Sequence, residues 1–98
     1  MLVRIVKLTF KTENIASFEQ IFNTTKEGIR SFEGCNFLEL YQDKNNPAVF
    51  FTYSYWDNEA ALDNYRHSDF FKEVWAKTKI LFAGAPAAWS VNKIETLN

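Results

Sequence analysis

The chain has 98 residues, of which 11 are basic and 12 acidic, for a net charge of −1 at neutral pH. This length suits a single domain over residues 1–98, and the balanced charge provides no basic patch for a nucleic-acid or anionic-membrane partner. A single cysteine and a single histidine exclude an internal disulfide, a cysteine cluster and a multi-histidine metal site. The aromatic content of 17% predicts a ring-rich core, an aromatic pocket or an aromatic interface.

The N-terminal segment alternates as a β-strand from Leu2 to Phe10. Lys7 and Thr9 fall on one face of this strand, and Arg4 interrupts the otherwise apolar opposite face. The strand begins at once, without a signal-peptide pattern, and no apolar run approaches the roughly 20 residues of a membrane helix. We therefore expect a soluble, cytoplasmic domain.

A helix is predicted after the first strand, with Asn14 as its N-cap. Apolar residues recur at steps of three and four from Ile15 to Phe32, as in an amphipathic helix of about five turns. Gly34 stands where a left-handed residue commonly ends a helix. A second alternating strand is predicted from Cys35 to Gln42, followed by a polar loop that ends at Pro47.

The most strand-like stretch runs from Val49 to Trp56, and five of its eight residues are aromatic. Tyr53 lies on one face of this strand and Trp56 on the other, so neither face is an ordinary solvent face. A small protein must cover both sides of such a strand. A shift of one residue exchanges the two faces, and alternation alone leaves open which of them lies under the helices.

Two short helices and a strand are predicted for the rest of the chain. Asp57 is the expected cap of a helix that ends near Tyr65, and Ser68 is the expected cap of the next helix. A Gly-Ala-Pro segment at residues 84–86 ends the third helix. The last strand is predicted from Ala88 to Ile94.

The element order β-α-β-β-α-α-β predicts a ferredoxin-like α+β fold, in which a four-stranded antiparallel sheet carries all the helices on one face. The other face of the sheet is then bare, and it is rich in apolar rings in either register. An exposed apolar surface of several hundred Å² is unusual on a monomer. We therefore predict a homodimer in which the two sheet faces pack together.

Several stretches of the sequence resemble the antibiotic-biosynthesis-monooxygenase-like family of small dimeric α+β-barrel proteins. They are Asn46 to Phe51, Tyr55 to Leu62 and Tyr65 to Phe71, supported by Gly34-Cys35 before the second strand. The resemblance implies a ligand cavity between the sheet and the helices. In some relatives it also implies oxidation of electron-rich aromatics or quinols by O₂ without metal or flavin, so we expect no cofactor.

Other members of that family degrade heme, with a histidine as the iron ligand. Where many members carry histidine, this chain has Tyr65 in the second helix and Phe70 after Ser68. Trp75 takes the place of the axial histidine of the heme-degrading relatives. Because neither Tyr65 nor Trp75 replaces that ligand, the comparison disfavours heme degradation.

The candidate catalytic residues are Tyr65 and His67. Tyr65 adds a hydroxyl to the helical stripe that faces the sheet, and His67 carries an imidazole, the side chain most often used for proton transfer near neutral pH. Such stripes usually form the core, so a purely structural role is the competing interpretation. The candidate substrate-binding residues, on the cavity walls and the strand faces, are Trp75, Phe71, Tyr53, Trp56, Lys7 and Thr9.

The sequence thus supports two hypotheses of different kinds. The first is a cofactor-independent monooxygenase that oxidises a small aromatic, phenolic or quinol-like substrate in the cavity. The second is a non-catalytic dimer that binds or senses a small molecule in the same place.

Overall fold

A computed structural model describes residues 1–98. The predicted element order is confirmed, and the second and third strands have the predicted bounds, whereas the first strand ends at Thr9 rather than at Phe10. The elements are β1 (Leu2–Thr9), a 3₁₀ turn (Thr12–Asn14), α1 (Ile15–Arg30), β2 (Cys35–Gln42), β3 (Val49–Trp56), α2 (Glu59–Arg66), α3 (Asp69–Lys79) and β4 (Ala87–Asn92). None of the α-helices has the length and apolar character that crossing a bilayer demands.

The four strands form one antiparallel sheet in the order β2-β3-β1-β4. The aromatic strand β3 is therefore central, between β1 and the edge strand β2. All the helices pack against one face of this sheet, which confirms the predicted ferredoxin-like α+β fold.

The register of β1 and β3 assigns the two faces of the central strand. Leu8 pairs with Phe50 and Leu2 with Trp56, and these residues face the helices. Two core clusters form on this side, one near each end of the strands. The first consists of Leu8, Phe10, Phe18 and Phe50, and the second of Cys35, Trp56, Leu62 and Tyr65.

The opposite side of the sheet carries no helix, and we call it the open face. Phe37 stacks on Tyr55 there, with ring centroids 4.5 Å apart, and Trp89 is 48% exposed. By strand alternation and register, the open face consists of Val3, Ile5, Lys7, Thr9, Phe37, Glu39, Tyr41, Val49, Phe51, Tyr53, Tyr55, Ala87, Trp89 and Val91.

Side-chain capping begins α2 and α3 but not α1: Asn14 precedes α1 as predicted, yet its side-chain amide donates to the carbonyl of Leu81 and makes no capping hydrogen bond. Ser68 Oγ accepts a hydrogen bond from the backbone N–H of Phe71, as predicted for the cap of α3. The cap of α2 is Asn58 and the prediction of Asp57 was wrong, because Asn58 Oδ1 accepts from the N–H of Ala61. The carboxylate of Asp57 instead accepts a hydrogen bond from the side chain of Asn36.

The loop between β2 and β3 is closed by its own polar groups. Asp43 Oδ2 accepts from the backbone N–H groups of Asn45 and Asn46, and the side-chain amide of Gln42 donates to the carbonyl of Pro47. These bonds give the loop one defined length and shape. In a hairpin, the loop length and turn type set the register of the strands it joins.

Candidate functional site

A cavity of about 370 Å³ lies between the sheet and the three helices. It separates the two core clusters, and both clusters contribute to its walls. Its size is toward the lower end of the roughly 300–1,000 Å³ typical of small-molecule sites. The lining residues are Arg4, Val6, Leu8, Phe18, Ile21, Phe22, Thr25, Ile29, Leu38, Thr52, Ser54, Trp56, Leu62, Tyr65, Arg66, Phe71, Val74, Trp75, Thr78, Pro86 and Ala88.

Aromatic side chains from β3, α2 and α3 form one continuous wall of this cavity. Trp56 stacks on Tyr65 with ring centroids 4.9 Å apart, and Tyr65 meets Phe71 edge-on at 5.1 Å. Phe71 in turn stacks almost parallel to Trp75. A planar aromatic ligand would find π-faces and edges along the whole wall.

Tyr65 brings a polar group into this aromatic wall. The residue is 8% exposed, yet its hydroxyl makes no hydrogen bond to another residue and is not sealed from open space. Burial raises the pKa of this hydroxyl well above its ordinary value, and Cys35 adds a smaller electrostatic contribution. The phenol therefore stays protonated at neutral pH, which makes it a hydrogen-bond donor rather than a base.

A row of polar side chains crosses the sheet beneath the helices, and two of its members, Arg4 and Ser54, line the cavity. Ser54, Arg4 and Ser90 are consecutive cross-strand neighbours on β3, β1 and β4. The guanidinium of Arg4 donates to Ser90 Oγ at 3.0 Å, and the indole N–H of Trp56 donates to Ser54 Oγ at 2.9 Å. Arg4 and Ser54 thus give the sheet side of the cavity a polar line, opposite a helical side that is mostly apolar.

Two guanidinium groups, those of Arg4 and Arg66, line the same cavity. Burial lowers the pKa of Arg4, repulsion from Arg66 lowers it further, and Asp63 partly opposes this shift. Neither arginine forms an ion pair, since the one ion pair of the chain joins Lys77 to Glu73 on the exposed side of α3. An arginine remains charged in proteins, so the cavity carries positive charge without a carboxylate partner within 4.0 Å.

Four of the predicted site residues come together in the cavity wall: Tyr65, Trp56, Phe71 and Trp75. His67 does not line the cavity. It is exposed at the C-terminal end of α2, where its Nδ1 lies 2.8 Å from the carbonyl oxygen of Asp63. No group of three or more His, Cys, Asp and Glu side chains is arranged to hold a metal ion.

The other three candidates, Lys7, Thr9 and Tyr53, lie on the open face rather than in the cavity. The reason is the alternation of strand side chains, because each has an odd position in a strand whose even positions face the helices. In the β1–β3 ladder, Thr9 pairs with Val49, and Tyr53 pairs with Ile5. These residues therefore share the surface that the sheet presents to a partner or to solvent.

The structure also adds cavity residues that were not among the candidates, notably Arg4, Arg66, Thr52 and Ser54. The sequence contained one signal for this group, which was Arg4 interrupting an apolar strand face. A charged residue amid apolar neighbours on a buried face commonly has a functional or pairing role. Ser54 and Thr52 carry no such signal, because small hydroxyl residues are ordinary in strands.

The chain matches the family model described as antibiotic biosynthesis monooxygenase over residues 1–77. No curated protein matches the sequence significantly. A solved antibiotic biosynthesis monooxygenase is similar in structure, with 20% identity, a TM-score of 0.90 and coverage of 97% of this chain and 100% of that chain.

Two further solved structures resemble the fold as closely. A conserved protein from Methanosarcina mazei shares 26% identity, with a TM-score of 0.88 and coverage of 95% of this chain and 93% of that chain. The Rv0793 protein from Mycobacterium tuberculosis shares 14% identity, with a TM-score of 0.89 and coverage of 99% and 98%. With the family model covering most of its length, the chain belongs to the antibiotic biosynthesis monooxygenase family.

Proposed function

We propose that this protein is a cofactor-independent monooxygenase that oxidises a small aromatic, phenolic or quinol-like substrate with O₂. The observation that carries the proposal is a ligand-sized aromatic cavity lined by Tyr65, a buried residue whose hydroxyl makes no hydrogen bond to another residue. Membership of the family, whose description names a monooxygenase, supports the type of reaction.

The cavity residues would act on the substrate rather than on oxygen. Trp56, Phe71 and Trp75 hold the ring and exclude water, and the Tyr65 hydroxyl donates a hydrogen bond to a substrate oxygen. That bond favours the ionised substrate, which is the electron-rich form that reacts with O₂. One oxygen atom enters the substrate, and the other leaves as water with two hydrogen atoms from the substrate, so no external reductant is needed.

Oxygen uptake with a panel of hydroquinones tests this proposal. We expect uptake with at least one compound, and we expect Tyr65→Phe to lower kcat roughly a hundredfold, as for loss of one oxyanion donor. Tyr55→Phe, which removes the same hydroxyl from the open face, should leave kcat unchanged. Binding of the panel without uptake would reject the oxygenase and favour the non-catalytic small-molecule-binding dimer.

His67 would act as a proton acceptor outside the cavity. With its Nδ1 bonded to the carbonyl of Asp63, the neutral ring carries its proton on that nitrogen and leaves Nε2 free to accept. The same assay on His67→Ala addresses this role. Unchanged uptake in that variant would assign proton removal to solvent.

We also propose that the protein is a homodimer formed by the open faces of two sheets. Aromatic side chains dominate this face, including Tyr41 at 46% and Trp89 at 48% exposure. The charged side chains on this face, Lys7 and Glu39 of the strands and Lys93 over the ring of Tyr55, include both signs, so an arrangement of opposite charges across the interface is open to it. Burial of such a patch is the usual outcome for a soluble protein.

Sedimentation or light scattering tests the dimer directly. We expect a mass of twice the 11.5 kDa of the chain, and we expect Tyr53→Lys at the centre of the open face to give monomers. Ile80→Lys makes a comparable change at a position that is 74% exposed outside the sheet, and it should remain dimeric. A monomeric wild-type protein would contradict the proposed interface.

A further inference from the structure

We propose that the cavity selects ligands in which a carboxylate accompanies the aromatic ring, and that Arg4 and Arg66 together bind this carboxylate. The inference rests on the proposed function for the aromatic character of the ligand. It adds the charge that the ligand must carry and names the two residues that recognise it.

Most of the hydrogen-bond donors of Arg4 and Arg66 have no partner in the protein. The guanidinium of Arg4 has five N–H donors, and the one bond it makes to a side chain goes to Ser90 Oγ. Arg66, in the last turn of α2, lines the same cavity and makes no side-chain hydrogen bond or ion pair. Two planar forks of donors suit the paired oxygens of a carboxylate.

The charge of Arg4 is partly buried and lies near a second positive charge. Burial lowers the pKa of Arg4, and repulsion from Arg66 lowers it further, although Asp63 acts in the opposite direction. Asp63 is exposed, and it does not approach either arginine within ion-pair distance. A partly buried charge without a counterion is unfavourable, so an anionic ligand would provide the counterion that the protein does not.

The two arginines are close in the structure to the aromatic wall. Arg4 lies beside Ser54 in the β1–β3 ladder, and Ser54 is bonded to the indole of Trp56. Tyr65, immediately before Arg66, stacks on that same indole. A ring that contacts Trp56 and Tyr65 therefore has the positive charges within reach of a carboxylate substituent.

A matched pair of probes tests the inference: 6-hydroxy-2-naphthoate and its neutral amide, 6-hydroxy-2-naphthamide. Calorimetric titration under nitrogen measures binding without turnover. We expect the acid to bind the wild type at least roughly tenfold more tightly than the amide, as for a charge-assisted hydrogen bond. Added salt should weaken binding of the acid and leave the amide unaffected.

Three variants assign the preference to residues. Arg66→Gln, at an exposed position, should reduce the acid-to-amide ratio severalfold with the amide affinity retained. Arg4→Gln should do the same, and Arg4→Lys should keep part of the preference because it keeps the charge but loses the fork. Lys72→Gln removes a charge from the exposed side of α3 and should leave the ratio at its wild-type value.

A structural role for Arg4 alone makes a different prediction. It would join β1 to β4 through Ser90, so its loss would lower stability without changing selectivity. Equal affinities for acid and amide, no binding of either probe, or an unchanged ratio in both Gln variants would overturn the inference. A preference for the acid in a protein that consumes no O₂ would uphold anion binding and reject the oxygenase, so the two failures are distinguishable.

Discussion

Replacing Trp56 with alanine should lower the free energy of unfolding by about 3–5 kcal/mol, the range found for large-to-small changes at buried aromatic residues. Trp56 is 1% exposed and belongs to the second core cluster. Its ring stacks on Tyr65, and its indole N–H is bonded to Ser54 Oγ. Denaturant unfolding followed by circular dichroism measures the change.

Trp56→Phe is the matched control for that prediction. It keeps an aromatic ring against Tyr65 but removes the indole N–H, so we expect less than half the loss of the alanine variant. An alanine variant within about 1 kcal/mol of the wild type would show that the cluster around Trp56 repacks without it. In that case, the corner between β3 and α2 would not depend on this side chain.

Gly34→Ala should be the second most damaging change, costing about 2–4 kcal/mol in unfolding free energy. Gly34 has a φ of 89°, in the left-handed region as predicted, but α1 already ends at Arg30, so Gly34 directly precedes β2 and does not end the helix. A Cβ at this position would lie 2.5 Å from the Cβ of Ala61 in α2. The substitution therefore adds backbone strain to a steric clash at a point where α2 packs closely against the start of β2.

Gly84→Ala provides the control, because a Cβ there meets no atom within 4 Å and Gly84 has no positive φ. Its stability should match that of the wild type within about 0.5 kcal/mol. The double variant Gly34→Ala, Ala61→Gly removes the clash and keeps the backbone strain, so it should recover part of the loss. If Gly34→Ala alone were as stable as the wild type, neither the backbone strain nor the clash with Ala61 would contribute.

The fold was predictable because its signals are local. Alternation bounded by turn residues defined Cys35–Gln42 and Val49–Trp56, and Ser68 capped α3 as its side chain predicts. The error at the start of α2 has a local cause as well. Asp57 and Asn58 are both good capping residues, and which of them caps α2 depends on the residue at which β3 ends.

The site was predictable on its helical side and less so on the sheet. Tyr65 lies on the apolar stripe of α2, and Phe71 and Trp75 lie on that of α3. Each stripe can face only one way once the helices pack on the sheet. On β1 and β3, both faces carry residues that suit a cavity, so Lys7, Thr9 and Tyr53 were as plausible as Arg4 and Ser54. Strand pairing decides between them, and it depends on contacts far apart in the sequence.

The length of the polar loop at residues 43–48 determines which side chains of β3 line the cavity. Side chains of a strand alternate between the two faces of the sheet. An odd change in the length of the loop between β2 and β3 would therefore exchange the two faces of β3, and an even change would not. One residue more or less in the loop would present Tyr53 and Tyr55 where Ser54 and Trp56 now stand, whereas a change of two would preserve every assignment. The hydrogen bonds of Asp43 thus stabilise the loop form that keeps Ser54 and Trp56 on the cavity side of the sheet and Tyr53 and Tyr55 on the open face.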